Sequence, residues 1–175
     1  MKRFKYLPIF LILFSLLLNS CNKKETSAKS DKFKVDPLPV IEDAMKNKKY
    51  LMVIFESEDC RYCSKLNKEV LSNFKVKEKL IKDNFEVAIV NVYGKRPVID
   101  PESKNDMNEQ IFAYVYKVQG FPTIAIFDPT KNYKLLYKIT GYLPKDNFIN
   151  LVDYVGSGCY NKLPFDKYIE NNKQC

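Results

Sequence analysis

Cys60, Arg61, Tyr62 and Cys63 form a Cys-x-x-Cys segment, two sulfurs spaced so that they could trade a disulfide with another molecule. Such exchange begins when a thiolate attacks one sulfur of a disulfide and ends when a second thiolate breaks the resulting mixed disulfide. Zinc sites use the same spacing. The segment follows an apolar run at residues 50–55 (YLMVIF) and precedes Leu66, Val70, Leu71 and Phe74, which recur at helical spacing. The cysteines therefore open a helix, where unpaired N–H groups and the positive end of the helix dipole stabilise a thiolate. Cys60, on the exposed first turn, is the expected nucleophile. Cys63, three residues on and on the same face, is the expected resolving thiol.

The chain has no histidine, which excludes Ser-His and Cys-His nucleophiles, His-ligated zinc or copper, and His-ligated haem. A copper carrier is further disfavoured by the presence of only four Met. The formal charge of +8 raises nucleic acid or an anionic membrane as partners. The lysines, however, are scattered among acids, as in KVKEK, and read as a solvated surface, so no nucleic-acid partner is expected. Beside Cys60, Glu58 and Asp59 place two negative charges against the single positive charge of Arg61. Like charge disfavours the thiolate, which favours a reductant or isomerase over a strong oxidant.

The elements that must hold these cysteines follow from the apolar pattern. With 175 residues, 46% of them hydrophobic, the chain is sized for one domain with a core. Residues 40–46 show a short helical pattern, and residues 50–55 and 85–92 read as strands buried on both faces. A helix after Cys60 is expected to continue through Val76, Leu80 and Ile81. Residues 93–105 read as loop and residues 107–118 as an amphipathic helix. Residues 123–127 and 135–139 flank a turn at 128–132, and residues 144–155 form a last helix. Strands separated by helices call for parallel pairing, with an antiparallel pair added by the closing hairpin. The expected fold class is α/β, a central mixed sheet flanked by helices.

Gly120, Phe121, Pro122 and Thr123 lead directly into the third of these strands, and here the sequence resembles the thioredoxin superfamily. The matching residues are 53–55, Cys60, Cys63, Gly120, Pro122, Thr123 and Gly141, and the resemblance spans residues 38–155. It implies a thioredoxin-like fold, a cis-proline at Pro122 beside the cysteines, and a thiol–disulfide oxidoreductase needing no cofactor or metal. Phe121, Pro122 and Thr123, with Arg61 and Tyr62, are the residues it places against a substrate. An ordinary strand-entry proline is the plain alternative for Pro122. The buried acid that thioredoxin keeps before its cysteines falls here at Ile54, and its lysine partner falls at Ile89. Strand alternation puts Glu56 on the side of Ile54 and nearer the cysteines, as a candidate acid/base for Cys63; a surface carboxylate is the alternative.

The first twenty residues look like an address. A basic start precedes an apolar run at residues 6–18, too short for the ~20 residues of a bilayer-spanning helix. Leu18, Asn19, Ser20 and Cys21 resemble the bacterial lipoprotein box, which implies removal of residues 1–20 and lipidation of Cys21. The mature chain then has net charge +5, and polar residues 21–36 form a tether to a domain at 37–156. The expected place is the periplasmic face of a bacterial membrane, the outer one being what Asn22 after Cys21 suggests by the same resemblance. With the loop before residue 107, these features are similar to exported thioredoxin-like proteins of the SoxW type and to disulfide reductases of cytochrome c maturation. Their expected partners are a membrane thiol reductase as electron donor and exported proteins bearing disulfides or thiols.

If Cys21 is lipidated and Cys60 pairs with Cys63, then Cys159 and Cys175 remain, in a tail at 157–175. A structural disulfide pinning the tail, a second redox pair relaying electrons, and a zinc site shared with Cys60 and Cys63 are the readings left open. The alternative for the whole chain is a thioredoxin-fold binding or chaperone lipoprotein in which Cys60–Cys63 is structural.

Overall fold

Six of the seven residues of strand β1 (Tyr50–Glu56) are buried, as a strand covered on both faces must be. A computed structural model describes residues 33–175; residues 1–20, Cys21 and the tether up to residue 32 lie outside the described residues. Strand β1 is central in a four-stranded sheet with β2 (Phe85–Asn91), β5 (Thr123–Asp128) and β6 (Lys134–Thr140), in the order β2–β1–β5–β6. Strands β1 and β2 are parallel, and Ile54 stands in register with Ile89.

Strand β5 corrects the expectation drawn from helix-separated strands: it runs antiparallel to β1, with Phe55 opposite Thr123. The chain leaving β2 stays at the end of the sheet where β1 also finishes, so β5 enters from that end and runs back. The connection holds a second correction. Strand β3 (Pro97–Ile99), inside the expected loop, pairs as a two-stranded ribbon with β4 (Asp106–Asn108), which takes the first residues of the expected helix. Helix α4 (Glu109–Val115) follows, shorter than the apolar pattern implied because Tyr116 and Lys117 close it, Lys117 at positive φ.

Helices cover both faces. On one, Met52, Ile54, Ile124 and Ile126 meet Leu66, Val76, Phe148 and Val152. These come from α2 (Arg61–Leu66), α3 (Phe74–Lys82) and α5 (Lys145–Gly156). On the other, Val53, Phe55, Ala125 and Phe127 meet Ile41 and Ala44 of α1 (Pro37–Lys46) and Phe112 of α4. The helix after Cys60 is not continuous through Ile81: it widens into a π-helical turn at Asn67–Leu71 and ends at Ser72. Asn73 then caps α3 by accepting from the Lys75 N–H, so a capping side chain divides what the apolar spacing joined. The tail is also ordered, with α6 (Phe165–Glu170) burying Tyr168 against α5.

Candidate active site

Cys60 ends the loop from β1 and caps α2; its Sγ accepts from the Cys63 N–H at 3.0 Å. The two sulfurs form a disulfide, with Cα atoms 5.2 Å apart. Cys63 is fully buried and Cys60 partly exposed, an asymmetry that leaves only Cys60 open to an incoming sulfur. Arg61 and Tyr62 are exposed on the first turn, Tyr62 to 59%.

Pro122 reaches the same place from the other side of β1. Because Phe55 pairs with Thr123, Pro122 stands beside the end of β1, four residues before Cys60. The Phe121–Pro122 bond is cis, and the Pro122 carbonyl accepts from the Gly141 N–H at 2.8 Å. Gly141 has φ +103°, a conformation that favours glycine, which is why this residue can turn its N–H onto the loop. Thr123 is buried, and its hydroxyl is used inside the fold: it donates to the Gly120 carbonyl at 2.7 Å and lies 3.2 Å from the Thr140 hydroxyl. Of the three residues expected to meet a substrate here, Phe121 keeps the most accessible side chain.

Glu56 is fully buried, so the surface-carboxylate reading is corrected. Both carboxylate oxygens accept from Asn67 Nδ2 at 2.9 Å, and the same Nδ2 lies 3.0 Å from the Cys63 carbonyl. A buried carboxylate is thus tied through one amide to the backbone of the buried cysteine. Sequence reasoning missed Asn67, although its place one helical turn after Cys63 was a usable signal.

Sequence reasoning also missed Tyr93, which follows β2. The Val92 N–H donates to the Glu56 carbonyl, so this connection runs alongside the loop leading to Cys60. Tyr93 is 68% exposed and its ring meets Phe121 edge-on, centroids 6.1 Å apart. The connection is fixed from below by Glu109, whose side chain is 1% exposed. Glu109 accepts from the N–H groups of Asn91 and Arg96 and pairs with the Arg96 guanidinium at 2.6 Å. Arg96 also donates to the carbonyls of Phe33 and Val35, clipping the start of the described chain to this loop.

Cys159 and Cys175 form a second disulfide beside α5 and α6, so the four sulfurs weighed as a zinc set are divided between two separate bonds. No cluster of three or more metal-ligating side chains, and no helix long and apolar enough to cross a membrane, occurs among the described residues.

Residues 39–156 match the family model described as thioredoxin-like domain. Among solved structures, the chain is similar to a thioredoxin-fold protein from Helicobacter pylori, with 30% identity and a TM-score of 0.58 over 73% of this chain and 81% of that one. It is also similar to a thioredoxin from Thermus thermophilus, with 29% identity and a TM-score of 0.55 over 71% of this chain and 89% of that one. No curated protein matches the sequence.

Proposed function

This chain belongs to the thioredoxin-like domain family, and we propose that it is an exported, membrane-tethered thiol–disulfide oxidoreductase that reduces or isomerises disulfides of other exported proteins. One observation carries the reading: Cys60 and Cys63 are joined at the start of a helix, one sulfur accessible and the other buried, beside the Pro122 loop.

In the reduced protein the Cys60 thiolate attacks one sulfur of a substrate disulfide. A mixed disulfide forms and the other substrate sulfur leaves with the electron pair. The Cys63 thiolate then attacks Cys60 Sγ, the second substrate sulfur leaves, and the Cys60–Cys63 disulfide remains. Glu56 is the proposed acceptor of the Cys63 proton, with Asn67 as its positioning partner. Phe121, Pro122, Arg61 and Tyr62 form the proposed substrate edge, to which Thr123 contributes backbone and not its hydroxyl. Electrons return from a membrane thiol reductase.

Export and tethering rest on the residues preceding the domain: a basic start, an apolar run and Cys21 in a lipoprotein-like box. The reading places the domain at the periplasmic face, as the resemblance to exported thioredoxin-like proteins of the SoxW type suggests. Glu58 and Asp59 beside Cys60 support reduction over strong oxidation.

The decisive experiment compares two substitutions. Cys60→Ser is expected to abolish disulfide exchange, and Cys63→Ser to accumulate mixed disulfides with exported proteins. If both variants exchange disulfides like the parent, the pair is structural and the chain is a binding module.

A further inference from the structure

Tyr93 and Phe121 come from opposite sides of the central strand. Tyr93 follows β2 and Phe121 precedes β5, and both strands flank β1. Their rings nevertheless meet, 6.1 Å apart at an interplanar angle of 77°, so an aromatic arch spans the end of β1 just where the chain departs for Cys60. The arch is asymmetric. Phe121 is partly buried, whereas Tyr93 is 68% exposed.

Tyr93 also walls a cleft of about 370 Å³ with Asn91 at the end of β2 and with Ser57, Glu58 and Asp59, the residues that lead up to Cys60. An exposed aromatic ring ringed by polar groups has the make-up of an interface anchor, an apolar contact at the centre and a polar rim around it. The cleft adjoins the loop that ends at Cys60, the one sulfur of the pair left open, so a polypeptide disulfide at Cys60 comes close to this rim. The rim carries the carboxylates of Glu58 and Asp59, so it disfavours an acidic segment and suits a basic one.

We infer that Tyr93, braced by Phe121, is a specificity-determining residue that selects substrates with an aromatic residue next to the reacting cysteine, in a segment without acidic neighbours. The inference rests on the oxidoreductase reading and adds the substrate class. A single well-placed aromatic contact corresponds to about a tenfold preference, or about 1.4 kcal/mol.

The test uses the full chain carrying Cys63→Ser and two lysine-containing peptides, one with Phe and one with Ala next to its cysteine. Each peptide cysteine is held as a mixed disulfide with 5-thio-2-nitrobenzoate. Cys60 attacks the peptide sulfur, the peptide–Cys60 disulfide forms, and the coloured thiolate leaves with the electron pair, so its absorbance reports the rate. The expected result is release about tenfold faster from the Phe peptide, narrowing to twofold or less when Tyr93→Ala is added and persisting with Tyr93→Phe. Equal rates for the two peptides, or a preference that survives Tyr93→Ala, overturn the inference and leave the oxidoreductase reading standing. If release from either peptide is unchanged after Cys60→Ser is added, the oxidoreductase reading falls and the inference with it.

Discussion

Asn67 holds Glu56 by both carboxylate oxygens, each at 2.9 Å from the same amide nitrogen. Because that nitrogen also reaches the Cys63 carbonyl, one amide ties the Glu56 carboxylate to the backbone of Cys63. Glu56→Gln keeps the shape and removes the proposed proton acceptor. General-base assistance is worth on the order of 10²-fold or more, so resolution of the mixed disulfide is expected to slow by at least tenfold at neutral pH. Rapid-quench analysis measures that step directly, and an unaltered rate would remove Glu56 from the mechanism.

Asn67→Ala separates positioning from acid/base chemistry. It leaves a buried carboxylate without these two hydrogen bonds, an expected loss of about 1–3 kcal/mol in denaturant unfolding. A positioning role further predicts a changed pH profile for mixed-disulfide resolution. Lost stability with the profile unmoved would make Asn67 purely structural.

Arg96 and Glu109 form the bracket under Tyr93. Truncating Arg96 to Ala leaves the buried Glu109 carboxylate with its backbone N–H partners and without its guanidinium, and loss of a buried charge partner costs about 3 kcal/mol in comparable cases. Gly94→Ala attacks the same bracket sterically, since an added Cβ would lie 1.9 Å from Glu109 Oε2. Both variants are expected to lower the melting temperature. A melting temperature unchanged in Arg96→Ala would show that the pair contributes nothing to holding the loop.

Acid should unfold the domain through three aspartates. Burial pushes the carboxyls of Asp100, Asp128 and Asp153 up, but hydrogen bonds outweigh it and hold each below its ordinary value. Ser103 and Tyr116 act on Asp100, Tyr160 and Thr130 on Asp128, and Lys79 and Tyr168 on Asp153. Each folded pKa lies below the unfolded one, so the stabilisation is complete above about pH 4 and is lost as the pH falls through the folded values. Asp83 works the other way: burial, opposed by Lys79, raises its pKa, and it gains stability on protonation. Melting temperature against pH should therefore fall below about pH 4 and do so less steeply in Asp128→Asn. An equal slope in that variant would remove Asp128 as a source.

The tail disulfide closes a 16-residue separation between Cys159 and Cys175, worth about 3 kcal/mol in the chain-entropy model. Tyr168 anchors the tail independently, buried to 1% exposure and donating to Asp153. Replacing both cysteines by Ser is expected to lower stability by up to that amount and to leave exchange at Cys60 unchanged. Slower turnover without loss of stability would favour the relay instead.

What the sequence by itself determined was local and periodic. A buried strand, a Cys-x-x-Cys at a helix start and a proline before a later strand are set by neighbours in the chain, and they were enough to locate Cys60, Cys63 and Pro122. The strand alternation also put Glu56 on the correct face, where Asn67 meets it. What only the tertiary structure decided was what faces what across the sheet. The antiparallel entry of β5, the burial of Glu56, the inward turn of the Thr123 hydroxyl and the meeting of Tyr93 with Phe121 depend on contacts between distant segments. No period in the chain encodes such pairings, because strand direction and loop placement follow from how separate elements share one core.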